Sequence, residues 1–239
     1  MSSLFVVRHG QARLFTEDYD RLSKLGVSQA EALARHWLER GLQPDAVWSG
    51  SLLRQRQTAE AVGRVFTGGD CRWPEHGELE GFNEYPAEAI MQTLLPVLRA
   101  RREDIEAMAA AFEASRDRAD RYRYLHRLLE AVIACWVAGD YEDGLLPISW
   151  DTFSNGVRAA FRRVTEAAGS GATVAVFTSG GPIGISIQTA MEAPEIKAAE
   201  VNWRVHNCSV TRYTFSAARI SLDSFNDISH LPVEMHTYR

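Results

Sequence analysis

Arg8-His9-Gly10 stands directly after the apolar run Leu4 to Val7, and a histidine in that position has two possible uses. It is either a structural imidazole with both nitrogens satisfied or a nucleophile at the end of a buried strand. Neutral imidazole, with an ordinary pKa of about 6.5, attacks phosphorus competently and forms a covalent intermediate with it. The neighbours suit that second use. The guanidinium of Arg8 is a planar fork that matches two phosphate oxygens at once, and a glycine at position 10 lets a ligand approach the backbone closely. The tripeptide alone does not choose between the two uses.

The elements around it narrow the choice. Leu4 to Val7 is continuously apolar, as a strand buried on both faces of a parallel sheet must be. Ser28 and Glu31 have the spacing of a capping box. They predict a helix whose Leu33, Trp37 and Leu38 share one face and which stops at Gly41. A short strand is predicted over Ala46 to Ser49, then a helix from about Leu52 to Phe66 that ends at Gly68-Gly69. A further helix is predicted over about Thr152 to Ala168, followed by a second buried strand over Thr173 to Phe177. Ser179-Gly180-Gly181-Pro182 turns that strand into a helix running to about Met191, with Pro182 near the first helical position. Cys208 to Phe215 and Arg219 to Leu222 alternate as late strands.

This order predicts an α/β three-layer sandwich with a mostly parallel central sheet. Ligands of such sheets lie beyond the carboxyl ends of the strands, which singles out the residues after Val7, after Trp48 and after Phe177. Between about Ala87 and Trp150 there is little glycine and apolar residues recur at helical spacing, as in Leu125, Leu128, Leu129 and Val132. Two or three helices are expected there, as an insertion or cap on one single domain spanning 1–239. The arginines at 116, 118, 121, 123 and 127 alternate with Asp117, Asp120 and Glu130, and they read as a solvated helix surface rather than a phosphate face.

Composition excludes several classes. With 46% hydrophobic and 24% charged residues in 239, the chain can bury a full core without staples. A formal charge of −5 argues against nucleic acid and anionic membrane as partners, so an anionic ligand must be held by a local positive cluster. Cys71, Cys135 and Cys208 are far apart and form no Cys-x-x-Cys pair, which suits reduced thiols in a cytoplasmic protein. No metal site is expected, since the seven histidines show no zinc-ligand spacing with each other or with cysteine. No secretory leader is visible, and the apolar stretch around Ala131 to Ala138 is too short to cross a bilayer.

Leu4 to Gln11 (LFVVRHGQ), Tyr19 to Ala30 (YDRLSKLGVSQA), Pro44 to Glu60 (PDAVWSGSLLRQRQTAE), Val174 to Ile183 (VAVFTSGGPI) and Asn207 to Arg212 (NCSVTR) together resemble, in this order, the histidine-phosphatase or phosphoglycerate-mutase-like superfamily. The resemblance spans most of the chain and leaves the helical stretch of about Ala87 to Trp150 without anchors. It implies a metal-independent enzyme, without a cofactor, acting on a small phosphorylated substrate. His9 matches the phosphorylated nucleophile, Arg8 the adjacent phosphate ligand and Arg54 the second phosphate arginine; Arg56 reads as a surface residue. The family's general acid follows its third strand, and Phe82-Asn83-Glu84-Tyr85 makes Glu84 the candidate, with Glu80 as competitor. An acid is needed because an alkoxide leaves poorly unless it is protonated as the P–O bond breaks.

The sequence departs from the family at one important place. Where the pattern has Ser-His-Gly-Gly, this chain has Thr178-Ser179-Gly180-Gly181. Ser179 and Gly180 are expected to bind phosphate in place of a second histidine, with a neutral donor where the family has an imidazolium; His206, beside Asn207, is the other residue weighed for that place. The first motif also reads Arg8-His9-Gly10-Gln11-Ala12-Arg13-Leu14-Phe15, without the Ser, Trp and Asn that mark the mutases. Hydrolysis through phosphohistidine is therefore the leading expectation. A weakly active or non-catalytic phosphate-ester binding protein and a phosphomutase are the alternatives.

Overall fold

The run predicted to be a buried strand forms β1 (Ser2–Arg8), the third-from-last strand of a six-stranded sheet. The computed structural model describes residues 1–13, 20–142, 144–216 and 219–238; Leu14 and Phe15 of the first motif and Tyr19 of the second lie outside them. Helix α1 (Lys24–Glu39), strand β2 (Ala46–Ser49), helix α2 (Leu53–Gly68) and strand β3 (His76–Glu78) follow. Later come α6 (Trp150–Ala167), β4 (Thr173–Thr178), α7 (Gly180–Ala190), α8 (Ile196–Asn202), β5 (Val210–Ser216) and β6 (Arg219–Asp227). Strand order is β3-β2-β4-β1-β5-β6. The first four are mutually parallel, and β5 and β6 join antiparallel. The fold is thus α/β with a mostly parallel sheet, as the alternation of elements requires.

Chain contacts divide the protein into two compact units, Met1–Glu84 with Asn155–Arg239, and Tyr85–Ser154, the boundary falling inside α6. In the first unit, one face of the sheet buries Phe5, Val7, Val47, Ala175 and Phe177 against Ala30, Leu33 and Trp37 of α1 and Ala59, Val62 and Phe66 of α2. Each fully buried aliphatic or aromatic side chain here is worth about 1.5–3 kcal/mol relative to exposure. The opposite face presents Leu4 beside Tyr213, whose hydroxyl lies 2.6 Å from Ser186 on α7. With both faces covered, the middles of β1 and β4 are wholly apolar, and polar residues occur only at their ends.

The capping box at Ser28 and Glu31 does not form: both residues lie inside α1, which starts earlier. Ser23 caps it instead, its hydroxyl accepting from the Gly26 amide at 3.0 Å while its own amide donates to the Gln11 carbonyl. That tertiary tie fixes Ser23 in extended backbone, so the helix begins there and Ser28 becomes an ordinary helical residue.

Among its described residues the second unit contains three whole helices, α3 (Ala87–Arg101), α4 (Glu103–Ala114) and α5 (Arg118–Ala138), and the first turn of α6. Ile90, Leu94 and Leu98, Ile105 and Ala109, and Leu128, Val132, Ile133, Cys135 and Trp136 are the buried residues of the three in turn. Tyr85, Trp136, Trp150 and Phe153 form an aromatic cluster with ring centroids 5.1–6.1 Å apart. The arginines at 116, 118, 121, 123 and 127 are all exposed; Arg123 pairs with Asp120 at 2.7 Å and Arg121 lies over the Phe112 ring. Among the described residues no helix is long and apolar enough to cross a membrane.

Candidate active site

Parallel pairing sets the positions of the candidate residues. Arg8 lies opposite Thr178, so His9 and Ser179 leave the sheet side by side at its carboxyl edge. The His9 amide donates to the Thr178 carbonyl at 2.8 Å, and its carbonyl accepts from Cys208 N and Asn207 Nδ2, both at 3.2 Å. These bonds fix the His9 backbone on both sides. Its Nδ1 lies 2.7 Å from the Gly10 carbonyl, which only accepts, so Nδ1 carries the proton. Nε2 is left with its lone pair and accepts from Arg54 Nε at 3.2 Å.

Burial, then the charges of Arg54 and Arg8, hold the His9 pKa well below the ordinary value; the Gly10 carbonyl opposes them. The ring therefore stays neutral, and nucleophilic, well into acid. His230 behaves alike: burial, then His36, lowers it to about 4. In the unfolded chain both rings take up protons near pH 6.5, and the folded protein does not. Their contribution to stability is thus complete above that pH and is lost as pH falls below it. In an NMR titration the His9 ring is expected to keep its Nδ1-protonated form at pH 6; a midpoint at 6.5 or above contradicts the tautomer and the field of the two arginines.

Arg54 lies in the first turn of α2 and is buried. Asp20 holds it: one carboxylate oxygen meets Arg54 Nη1 at 2.5 Å and the other accepts from the Leu53 amide at 2.7 Å. Thr58 Oγ1 accepts from the Gly10 amide at 3.0 Å and donates to the Arg54 carbonyl at 2.7 Å, tying the His9 loop to the same helix turn. Arg8 donates to the Val205 carbonyl. Arg56, by contrast, points to Glu78 at 3.7 Å and is partly exposed. Gly10 is needed for a reason other than ligand access: a Cβ there would collide with the Gly26 carbonyl in the first turn of α1.

The candidate acid is anchored through its neighbours. The Phe82 carbonyl accepts from Thr178 Oγ1 at 2.6 Å and from Gln55 Nε2 at 2.8 Å. Asn83 accepts from the Ser51 amide at 2.7 Å and donates to the Ser51 hydroxyl at 2.9 Å. Below, Gly81 lies against the backbone of Gly156 in α6, and the Phe82 ring packs edge-on against Phe161. Glu84 so emerges at the start of α7, where both carboxylate oxygens accept from the Gly181 amide, at 3.1 and 3.2 Å. Glu80 instead sits exposed on the short turn Glu80–Phe82.

Ser179 is fully buried, and its hydroxyl accepts from Gln55 Nε2 at 2.8 Å. Gly180 next to it has no room for a Cβ because Asn202 Oδ1 occupies that position. His206 stacks on Tyr238 with centroids 3.9 Å apart and meets Asn226 Nδ2 at 3.1 Å; burial lowers its pKa, the Asn226 hydrogen bond raises it, and the charges of His236 and Arg8 lower it further. Asp20, Gln55, Thr58, Asn83 and Asn207 were not singled out from sequence, although all lie inside or beside the motifs. Among the described residues no three His, Cys, Asp or Glu side chains gather as a cation site.

This arrangement, a neutral imidazole lone pair against a guanidinium with a carboxylate at a nearby helix start, can accept a phosphoryl group and protonate a leaving oxygen. Solved structures with the same fold cover nearly the whole chain. A phosphoserine phosphatase from Entamoeba histolytica, solved with phosphoserine, is 17% identical with a TM-score of 0.60, over 97% of this chain and 100% of that one. A phosphoglycerate mutase from Bacillus anthracis is 17% identical with a TM-score of 0.63, over 96% and 94%. A mycobacterial glucosyl-3-phosphoglycerate phosphatase, solved with inorganic phosphate, is 19% identical with a TM-score of 0.57, over 96% and 99%. No curated protein matches the chain in sequence. The family model described as "Histidine phosphatase superfamily (branch 1)" matches residues 4–228, and with that match across the motifs and the fold alike, the chain belongs to the histidine phosphatase superfamily, branch 1.

Proposed function

We propose that the protein is a metal-independent phosphomonoesterase that works through a phosphohistidine on His9. The observation that carries this reading is the neutral His9 ring, protonated on Nδ1, with its Nε2 lone pair directed at the Arg54 guanidinium. In the first step Nε2 attacks phosphorus in line and the P–O bond to the leaving group breaks. Arg8 and Arg54 hold the phosphoryl oxygens. Ser179 and Gly180, at the start of α7, form the wall of the phosphoryl seat, where the resemblance puts a second histidine. Glu84 gives its proton to the departing oxygen. In the second step water attacks the phosphohistidine and passes a proton back to Glu84; the P–N bond breaks, Nε2 regains its lone pair and inorganic phosphate leaves.

The phosphatases among the similar folds, one on phosphoserine and one on glucosyl-3-phosphoglycerate, support a small phosphate ester as the substrate. Free thiols at Cys71, Cys135 and Cys208 support a cytoplasmic setting. The test is hydrolysis of nitrophenyl phosphate combined with trapping of an acid-labile phosphoenzyme. Activity is expected to be the same with and without a chelator, and a loss that one divalent metal restores contradicts the mechanism. A second reading, a phosphate-ester binding protein with slow turnover, is favoured by the burial of Ser179 and the engagement of its hydroxyl by Gln55; ester binding without a phosphoenzyme would establish it. A phosphomutase is distinguished by transfer to a second substrate rather than to water.

A further inference from the structure

Gln55 sits one residue after Arg54 and is fully buried. Its Nε2 carries two protons, and each has a partner: the Phe82 carbonyl and the Ser179 hydroxyl, both at 2.8 Å. The amide's orientation is settled by chemistry, since a peptide carbonyl only accepts and so requires the NH2 end. The other end gains nothing in this position. Gln55 Oε1 is buried without a hydrogen-bond partner, lodged where any Cβ on Gly50 would collide with it. Buried polar atoms are nearly always satisfied, so an orphaned carbonyl marks a side chain held for what its NH2 end does. That end joins two segments: the turn from Phe82 to Glu84, and the strand-to-helix turn at Ser179, whose next amide but one, Gly181, holds the Glu84 carboxylate.

We propose that Gln55 is a positioning residue for the acid step, holding the Glu84 turn to the start of α7, and that Gln55 and Ser179 together fill the volume an imidazole at position 179 would need. The proposal rests on the phosphohistidine reading above. It accounts for a serine where the resemblance puts a histidine: a short hydroxyl at 179 leaves space and an acceptor, and the Gln55 amide takes both. Because Ser179 has no exposed surface and its hydroxyl is already in contact with Gln55, a ring at 179 must displace the amide and so break its bond to the Phe82 carbonyl, leaving that carbonyl to Thr178 Oγ1 alone.

The experiment measures four variants on a series of aryl phosphates running from nitrophenyl to unsubstituted phenyl. Ser179→His is expected to lower kcat on nitrophenyl phosphate at least about tenfold, because the ring evicts Gln55. Gln55→Ala is expected to hit phenyl phosphate at least about tenfold harder than nitrophenyl phosphate, because only the poorer leaving group needs a well-placed acid. The double variant Ser179→His/Gln55→Ala is expected to exceed Ser179→His alone by at least about tenfold, a coupling in the sense of a double-mutant cycle. Gln55→Met keeps the volume but neither hydrogen bond, so it should steepen the leaving-group dependence even if the alanine variant does not fold. Equal losses on both esters for Gln55→Met, or strictly additive losses in the double variant, overturn the proposal while leaving the phosphohistidine reading intact. Wild-type protein with no His9-dependent hydrolysis of any ester overturns both.

Discussion

With alanine at position 9, ester hydrolysis is expected to fall by at least about 10⁴-fold, the scale on which covalent enzymes respond to loss of the nucleophile. Acid-labile incorporation of phosphate into the protein should vanish with it. Among the described residues no other group in the site has the same combination of features. His9 is neutral, fixed through its own backbone to Thr178, Cys208 and Asn207, and presents an Nε2 lone pair beside Arg54. His206, the other imidazole considered, is committed to Tyr238 and Asn226. The fold should survive the substitution, because the ring makes one side-chain hydrogen bond to its neighbour Gly10 and one to Arg54. Circular dichroism and quench-trapped labelling check this directly, and a His9→Ala protein that is folded and still turns over at near wild-type rate refutes the nucleophile assignment.

The second large effect is expected at Glu84. Glu84→Gln keeps the shape of the side chain and an oxygen to accept from the Gly181 amide, but it has no acidic proton to give. Loss of a general acid costs about 10²–10⁴ in rate where the leaving oxygen needs the proton. Phenyl phosphate and alkyl phosphates should lose about that much. Nitrophenyl phosphate should lose less than about tenfold in its first step, since nitrophenolate departs unprotonated. Burst kinetics separate the two steps, because in the proposed mechanism dephosphorylation also uses Glu84, now as a base. Glu80 serves as the internal control: exposed on its turn, Glu80→Gln should leave the leaving-group dependence unchanged. The opposite result, with Glu80 sensitive and Glu84 silent, would move the acid to Glu80.

Much of this was legible in the amino-acid order. The buried strands at Leu4 to Val7 and Thr173 to Phe177, the helix after Leu52 and the turn at Ser179-Gly180 follow from apolar runs and from glycine and proline, signals carried by residues adjacent in the chain. Parallel pairing of those strands brings the residues that follow them to one edge, which points to His9 and Ser179; Arg54 and Glu84 were named through the resemblance to the superfamily. Four things were decided only by the tertiary structure. Ser23 rather than Ser28 caps α1, because a carbonyl of the His9 loop holds it. Gly10 is glycine because of Gly26, a residue on another element. Arg54 is aimed by Asp20, 34 residues away, and Ser179 is engaged by Gln55, 124 residues away. Local pattern fixes which atoms are available; the hydrogen bonds that orient them depend on which loops the fold brings together, and no spacing along the chain encodes that.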